Sequence, residues 1–318
     1  MNDPLLKRAA DQLRPIPDWP KEGITFYDLN PVLHDIEAAG HLADLIAERW
    51  RDKGITFVAM LDARGFILGS MVAERLGASM TMIRKKGKLP PPTLEFTYDL
   101  EYGTATVEIA NDGSIENEKA LVFDDLLATG GTAEAAVKLV EMAGGTVVGF
   151  ACVTELPELG GREKLLTVPV QSLITIMDGE KLLDVEYCVD IYTRMTESGE
   201  LVLLERLGEV PGIAMPGGRI EDETALEAGY RELKEETGLN AWNLFYAGML
   251  TGIKRDPRGP KVSVVLEAKV HKRPMVAEAE KTRPFICKGP SHLPDPSEFV
   301  FGHGEFVHER WTESLEAA

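Results

Sequence analysis

Short apolar runs alternate with helix-like stretches through the first half of the chain. The apolar runs, each of a length typical of a buried strand, cover residues 55–61, 79–84, 120–126 and 146–156. Apolar residues at helical spacing occur at 71–77 and 132–144. Because strands that alternate with helices form parallel sheets, this half predicts an α/β domain with a mainly parallel sheet and flanking helices. Ligands bind such sheets at the carboxyl ends of the strands.

The pattern changes in the second half. Strand-like runs at 182–195 and 199–207 are joined by the hairpin signal TESG, and a further strand-like run covers 261–270. Strong helical spacing covers 224–238, and a last helical stretch starts at 304. This order predicts an α+β domain with a mixed sheet. We place the boundary within "IMDGEK", which gives domains 1–177 and 178–318.

Composition and charge narrow the function classes. The chain has 318 residues, long for one core and sufficient for two domains, and 44% of them are hydrophobic. The formal net charge of −18 argues against a nucleic-acid surface, because phosphate-backbone binding needs clustered Lys and Arg. The three cysteines share no metal-ligand spacing, so we expect buried thiols. Without a signal-peptide core or an apolar run of about 18 residues, we expect a soluble, cytoplasmic protein that contacts no membrane.

The stretch "LVFDDLLATGGTAEA" (121–135) carries the first candidate site. A strand that ends in Asp124 and Asp125 can offer carboxylates to sugar hydroxyls. The turn "ATGGT" can wrap a phosphate, because glycine lets the backbone approach closely and the following helix presents its first amides. Taken alone, the segment also fits a capped turn whose acids face solvent.

Six motifs in one order decide between these interpretations. They lie at 16–33, 61–66, 84–93, 98–103, 124–132 and 155–165. Together they resemble the adenine phosphoribosyltransferases, between residues 10 and 175, and so imply a type I phosphoribosyltransferase fold. The resemblance implies the reaction of adenine with phosphoribosyl pyrophosphate to AMP and pyrophosphate. It also implies Mg²⁺ as cofactor, with Mn²⁺ as the alternative, and a homodimer.

The same resemblance implies roles for individual residues. The ribose 5-phosphate cradle would consist of Asp124, Asp125, Ala128, Thr129, Gly130, Gly131 and Thr132. The pyrophosphate would be held by Arg64, Arg84 and Lys88. Glu101 would be the general acid/base near the purine, and Thr25 and Phe26 would line the adenine pocket. Two positions depart from the family pattern, with Tyr27 in place of an Arg and Pro91 in place of a Gly.

A second candidate site lies in "GGRIEDETALEAGYRELKEETGL" (217–239). Its residues satisfy the spacing G-x5-E-x7-R-E-U-x-E-E-x-G-U from Gly217 to Leu239, and the stretch resembles the Nudix box. Glu232, Glu235 and Glu236 share one helix face, where their charges repel unless a hard divalent cation lies between them. Three clustered glutamates alone also fit a solvated acidic helix. One departure is a loop shortened by one residue before Glu223.

The box implies hydrolysis of a nucleoside diphosphate that is linked to another moiety. By this resemblance Glu232, Glu235, Glu236 and Gly217 would hold the metal, and the three glutamates would be catalytic. Arg231 would orient a box glutamate. Segments 254–268 and 301–307 resemble ADP-ribose pyrophosphatases, which would make Arg255 and Arg258 substrate residues; a charged hairpin turn is the alternative. We expect a packed role for His303.

The sequence therefore predicts two enzymes on one chain: an adenine phosphoribosyltransferase, and a Nudix hydrolase that acts on ADP-ribose or a similar compound. Their substrates would be small molecules, and both reactions would yield AMP. Two alternatives stay open. The chain could be a ligand sensor that uses both folds as binding modules, or one domain could be active beside a relic.

Overall fold

The computed structural model describes residues 3–99, 103–271, 273–274 and 282–316. The chain divides into two compact units, residues 1–184 and 185–318. Within the described residues, no helix is both long and apolar enough to cross a membrane.

The first unit contains helices α1 to α5 and strands β1 to β10. The helices are α1 Pro4–Gln12, α2 Asn30–Leu33, α3 Ile36–Trp50, α4 Gly65–Leu76 and α5 Gly131–Met142. The strands are β1 Arg14–Ile16, β2 Phe26–Asp28, β3 Phe57–Leu61, β4 Ser79–Lys85, β5 Thr93–Asp99, β6 Thr104–Ala110, β7 Lys119–Leu127, β8 Thr146–Glu155, β9 Val170–Met177 and β10 Glu180–Leu182.

An eight-stranded sheet forms the centre of this unit, in the order β10-β9-β8-β7-β3-β4-β6-β5. The five adjacent strands β9, β8, β7, β3 and β4 are parallel. At the two ends of the sheet, β10 and the β6–β5 pair are antiparallel to their neighbours. Alternate residues of β7 face opposite layers: Leu121 and Phe123 pack with α3 and α4, and Val122 packs with α5. The mainly parallel sheet that the pattern predicts is confirmed.

The first unit ends after Asp184 rather than after Met177. The reason lies in β10, which turns back and pairs antiparallel with β9. Lys181 of β10 also donates from its Nζ to the carbonyl oxygens of Ala10 and Leu13, at 2.8 and 2.6 Å. These bonds tie residues 180–182 to the first unit.

The second unit contains a mixed sheet and two helices among its described residues. The strands are β11 Glu186–Met195, β12 Leu201–Arg206, β13 Gly212–Ala214, β14 Gly217–Arg219, β15 Leu244–Leu250, β16 Lys261–Val270 and β17 Thr282–Cys287; the helices are α6 Ala225–Thr237 and α7 His303–Glu316. The order is β13-β12-β11-β16-β15, with β14 on β11 and β17 on β12. Only β11 and β16 of these pairs are parallel, so the predicted mixed sheet is confirmed.

Candidate active sites

A cavity of about 530 Å³ lies at the carboxyl ends of β3, β4 and β7. Parallel strands end at the same edge of a sheet, which brings together residues that are far apart in sequence. The lining residues are Leu61, Asp62, Ala63, Arg64, Ile83, Lys85, Lys86, Tyr98, Ala105, Thr106, Val107, Asp124, Asp125 and Thr132. The lining therefore contains the paired aspartates, Arg64 and the last residue of the predicted cradle.

Arg64 links the aspartates to the predicted adenine pocket. Its Nε lies 3.0 Å from Oδ2 of Asp125, and its guanidinium lies 4.8 Å from the ring centroid of Phe26. Phe26 in turn makes an edge contact with Trp19, at 4.5 Å between ring centroids. The buried Nη1 of Arg64 has no hydrogen-bond partner among the described residues. One donor of this guanidinium is thus left for a ligand beside both predicted subsites.

The paired aspartates lie in a buried position that disfavours their ionised forms. Burial raises the pKa of Asp124 well above its usual range, and the neighbouring charge of Asp125 adds to that effect. Burial also raises the pKa of Asp125, with the Arg64 guanidinium acting against it. The Asp125 amide donates to Oδ1 of Asp124 at 2.8 Å, which fixes the Asp124 carboxylate against the backbone. Cations or hydroxyl donors on a ligand would stabilise the charged forms of these two carboxylates.

The predicted cradle is a tight turn into α5. Gly130 has φ +78, a left-handed conformation that favours glycine, and Gly131 begins the helix. A Cβ on Gly131 would lie 3.0 Å from the ring of Tyr98, so the turn passes close to β5. The hydroxyls of Tyr98 and Thr132 are 2.9 Å apart. Thr132, in the first turn of α5, therefore brings the start of this helix to the cavity lining.

A buried ion pair lies next to this turn and gives the motif at 155–165 a structural role. Arg162 donates from Nε and Nη2 to the two carboxylate oxygens of Glu155, at 2.8 and 2.9 Å. Both residues are buried, at 6% and 1% exposure. Gly161, next to Arg162, leaves no room for a Cβ against the Ala128 carbonyl, and Gly130 likewise packs on Gly161. The pair thus anchors the segment on which the cradle rests.

Replacing Arg162 by methionine should lower the free energy of unfolding by about 3–5 kcal/mol, because it removes the two hydrogen bonds and the positive charge that Arg162 offers the buried Glu155 carboxylate. The double change Glu155→Gln with Arg162→Met should recover part of this loss, since no unpaired charge remains. Denaturant unfolding of the three variants and the wild type measures both values. Equal losses in the single and double variants would contradict the assigned pairing.

The other predicted residues of this site differ in their surroundings. Arg84 pairs with Asp62 at 3.0 Å and donates to the Lys88 carbonyl at 3.3 Å. The amides of Lys88 and Leu89 both donate to Oε1 of Glu108, at 2.7 Å. Burial acts to raise the pKa of Glu108, but these amide bonds outweigh it and lower the pKa.

Sequence reasoning missed Glu108, whose place on β6 gives no local signal. Thr25 is exposed directly before β2, and the aromatic side chain of Tyr27 is half-buried. Burial raises the pKa of Tyr27, with the charge of Glu158 adding to it. Glu101 lies outside the described residues.

A second cavity, of about 280 Å³, lies in the second unit. It is lined by Glu186, Cys188, Asp190, Arg206, Ala214, Met215, Gly217, Gly218, Arg219, Glu236, Arg255, Asp256, Arg258, Lys261, Ser263, Phe301 and His303. The box helix α6 starts with a capping box formed by Thr224 and Glu227, and its last turn contributes Glu236 to the lining. The cavity is rich in charges of both signs.

Arg231 joins three glutamates of the box. It donates from Nη1 to Glu232 at 2.6 Å and to Glu235 at 3.4 Å, and from Nη2 to Glu223 at 2.5 Å. Nη2 also donates to the carbonyl of Arg219, at 2.9 Å. The prediction that Arg231 orients a box glutamate is confirmed by these contacts. The shortened loop still brings Glu223 to this arginine.

Two of the predicted metal ligands, Glu232 and Glu236, lie against Gly217 and Gly218 at the start of β14. The Gly217 amide donates to Oε2 of Glu236 at 2.8 Å, and a Cβ on Gly218 would collide with the Glu232 carboxylate. Burial raises the pKa of Glu236 to about 7. The Glu235 side chain is 60% exposed. Over the part of the chain that the structure describes, no three His, Cys, Asp or Glu side chains form a group able to hold a metal ion; Glu232 and Glu236 are turned toward N–H donors.

The two predicted substrate arginines lie in unlike surroundings. Arg255 is 7% exposed, and its guanidinium donates to the Phe301 carbonyl at 2.6 Å and to Oγ of Ser263 at 2.7 Å. These contacts indicate that Arg255 positions the Phe301 segment. Arg258 is 35% exposed, forms a two-bond pair with Asp256 and lies 4.5 Å from the Phe301 ring.

His303 is packed, as expected, with 1% exposure. The Met215 amide donates to its Nδ1 at 3.0 Å, so that nitrogen carries no proton. Its Nε2 lies 3.0 Å from Oδ2 of Asp190. Burial acts to raise the pKa of Asp190, but His303 and Arg255 outweigh it and lower the pKa. This cluster fixes the segment that leads into Gly217.

Comparison with known proteins follows the division into two units. The phosphoribosyl transferase domain model matches residues 32–181, and the NUDIX domain model matches residues 186–287. The adenine phosphoribosyltransferase of Proteus mirabilis (strain HI4320) is 49% identical over 160 residues, which are 50% of this chain and 87% of that protein.

Solved structures support the same assignment of the first unit. The crystal structure of adenine phosphoribosyltransferase from Rhodothermus marinus matches with a TM-score of 0.52 and 44% identity, over 54% of this chain and 98% of that one. The Saccharomyces cerevisiae enzyme, complexed with an imino-altritol bisphosphate and adenine, matches with a TM-score of 0.50 and 32% identity, over 53% and 97%. The first unit therefore has the phosphoribosyltransferase fold. Through this unit the chain belongs to the adenine phosphoribosyltransferase family, and it carries a NUDIX domain in its second unit.

Proposed function

We propose that the chain joins two enzymes, and that its first unit forms AMP and pyrophosphate from adenine and phosphoribosyl pyrophosphate. The observation that carries this proposal is the placement of Arg64, which lines the cavity with Asp125 and also lies over the ring of Phe26. A purine against Phe26 and a sugar at the aspartates would be adjacent there. The relatives support the same activity, since the yeast enzyme was crystallised with adenine.

In this reaction the protein's own groups bind the two ends of the sugar. Asp124 and Asp125 accept hydrogen bonds from ribose hydroxyls, and the turn into α5 donates amides to the 5-phosphate. Arg64, Arg84 and Lys88 face the pyrophosphate, on which negative charge develops as it leaves. Glu101 remains the proposed acid/base from its sequence position. Mg²⁺, when bound at the oxygen-rich aspartate end, would neutralise charge on the pyrophosphate.

The second unit is proposed to hydrolyse a nucleoside diphosphate derivative, with ADP-ribose as the substrate to test first. Supporting it are the box glutamates tied by Arg231 and the charged cavity beside them. Glu232, Glu235, Glu236 and the Gly217 carbonyl would hold Mg²⁺, which would polarise the diphosphate and activate water. The fit rests on two of these donors: Glu236 is buried and the charge of Glu232 acts on it, an arrangement that a cation relieves, whereas Glu235 is exposed.

A product assay tests both halves on one sample. Purified full chain with Mg²⁺ is given adenine with phosphoribosyl pyrophosphate, and separately a panel of nucleoside diphosphate compounds, with products identified. We expect AMP and pyrophosphate in the first assay, and AMP with ribose 5-phosphate from ADP-ribose in the second. Turnover of a triphosphate or a dinucleoside polyphosphate with ADP-ribose untouched would overturn the substrate and keep the hydrolase. No turnover of any panel member would overturn the hydrolase itself.

A further inference from the structure

Five cationic side chains line the second cavity, and most of them already have carboxylate partners. Arg219 pairs with Glu186, and Lys261 contacts both Glu186 and Asp256. Arg258 pairs with Asp256 at 2.7 Å. These cations neutralise the acidic residues of the wall, so they offer little unsatisfied charge to a ligand.

Arg255 and Arg206 remain. The Arg255 guanidinium lies 3.9 Å from Asp190 and is 7% exposed, so it belongs to the buried network. Arg206 has no carboxylate within ion-pair distance among the residues that the structure describes. Its buried Nε has no hydrogen-bond partner there either. The buried Nε of Arg255 is likewise without a partner among the described residues, but its Nη1 and Nη2 already donate to Phe301 and Ser263. Arg206 is thus the lining cation that no carboxylate of the described residues pairs with.

The surroundings of Arg206 hold it in place without using its hydrogen bonds. It ends β12, where its backbone pairs with Gly212 on one side and Thr282 on the other. Its guanidinium lies 5.1 Å from the ring centroid of Phe301. The backbone of Phe301, at φ +61, is fixed by the hydrogen bond from Arg255 to its carbonyl. An aromatic face holds a guanidinium by its charge and leaves the N–H groups for other acceptors.

The same cavity contains Arg206 and one box glutamate, Glu236. Arg206 is close enough to Glu236 for its charge to act on that carboxylate, and both line the cavity. A diphosphate that reached the glutamates through a metal ion would therefore have Arg206 beside its other oxygens. Guanidinium groups match phosphate oxygens with two parallel hydrogen bonds.

We propose that Arg206 is a substrate-binding residue of the second unit and takes an oxyanion of the diphosphate group. This inference rests on the proposed hydrolase function and deepens it. It moves the main anion contact from Arg255, which the protein itself holds, to a residue outside the box and outside "KRDPRG". Phe301 is then the platform that orients Arg206.

The test compares three substitutions in the full chain. Arg206→Met removes the charge and keeps much of the length, and Arg206→Lys keeps the charge without the two-bond geometry. Arg283→Met is the matched control: Arg283 is exposed and lies on β17 opposite Glu205, one position from the Arg206–Thr282 pair. Two readouts are measured, KM and kcat for ADP-ribose with Mg²⁺, and calorimetric binding of ADP-ribose in EDTA.

Arg206→Met should raise KM and weaken calorimetric binding by at least about tenfold, the scale of one lost charge-assisted contact, with a smaller change in kcat. Arg206→Lys should recover part of the affinity, and Arg283→Met should match the wild type. Changes below about twofold in Arg206→Met, or an equal loss in Arg283→Met, would overturn the proposal. If the wild type binds ADP-ribose through Arg206 but hydrolyses nothing, the hydrolase function fails and the anion site stands. A wild type that neither binds nor hydrolyses ADP-ribose overturns both.

Discussion

Replacing Asp125 by asparagine is expected to lower AMP formation from adenine by at least about 100-fold, the scale of a lost positioned electrostatic group. Asparagine keeps the shape and removes the charge that pairs with Arg64 at 3.0 Å. Because Arg64 also lies against Phe26, its displacement would disturb the purine side as well. Steady-state assays with adenine and phosphoribosyl pyrophosphate measure the effect.

The control for this change is Asp112→Asn, at an exposed loop position whose carboxylate accepts from the Ser114 amide. It should leave AMP formation within about twofold, as exposed substitutions usually do. ADP-ribose hydrolysis gives a second control, because that site is assigned to the other unit. An Asp125→Asn protein with near wild-type AMP formation and an unchanged melting temperature would show that the cavity is not the transferase site.

The elements with short, local signals could be predicted from the sequence. Strand β7 and helix α5 were expected at 120–126 and 132–144, and they occur at Lys119–Leu127 and Gly131–Met142. Helix α6 was expected at 224–238 and occurs at Ala225–Thr237. In each case a cap or a glycine turn marks the boundary, so the local pattern and the fold agree.

Two other elements were missed: helix α3, for which a signal was present, and the hairpin of β5 and β6, for which little signal was present. Helix α3 starts after Asp35, whose side chain accepts from the Ala38 amide, and buries Leu42 and Ile46 at helical spacing. The hairpin of β5 and β6 carries little apolar alternation at its exposed end, so its pairing beyond β4 could not be read locally. Its antiparallel place in the sheet depends on tertiary contacts.

In the candidate sites, too, residues with a local spacing signal could be predicted and residues that depend on tertiary contacts could not. The box glutamates could be named from spacing alone, because a helix fixes which residues share a face. The Glu155–Arg162 pair, Glu108 and Arg206 could not, since their roles depend on what neighbouring strands bring to them. Arg255 and Arg258 look equivalent in "KRDPRG", yet one is 7% and the other 35% exposed. A motif identifies residue types, and burial then decides whether a charge serves the fold or a ligand.

Replacing Glu236 by glutamine should lower ADP-ribose hydrolysis by at least about 100-fold, while AMP formation from adenine stays within about twofold of the wild type. Glutamine can still accept the hydrogen bond that the Gly217 amide donates to Glu236 at 2.8 Å, so the start of β14 should keep its shape. The substitution removes one of the charges that the proposed metal needs, and hydrolysis should fall because of that loss. Parallel assays of the two reactions on one preparation measure both numbers.

The stability of the protein in Mg²⁺ separates a metal role from a structural one. If Glu236 helps to hold the metal, Mg²⁺ should raise the melting temperature of the wild type relative to EDTA, because a ligand that binds only the folded state stabilises it. Glu236→Gln should lose most of that increase. Glu313→Gln, on α7 with a side chain 68% exposed, should keep it together with the hydrolase activity. A Glu236→Gln protein that lost hydrolysis but kept the full Mg²⁺ effect would place the metal elsewhere, and one that kept hydrolysis would remove Glu236 from the site.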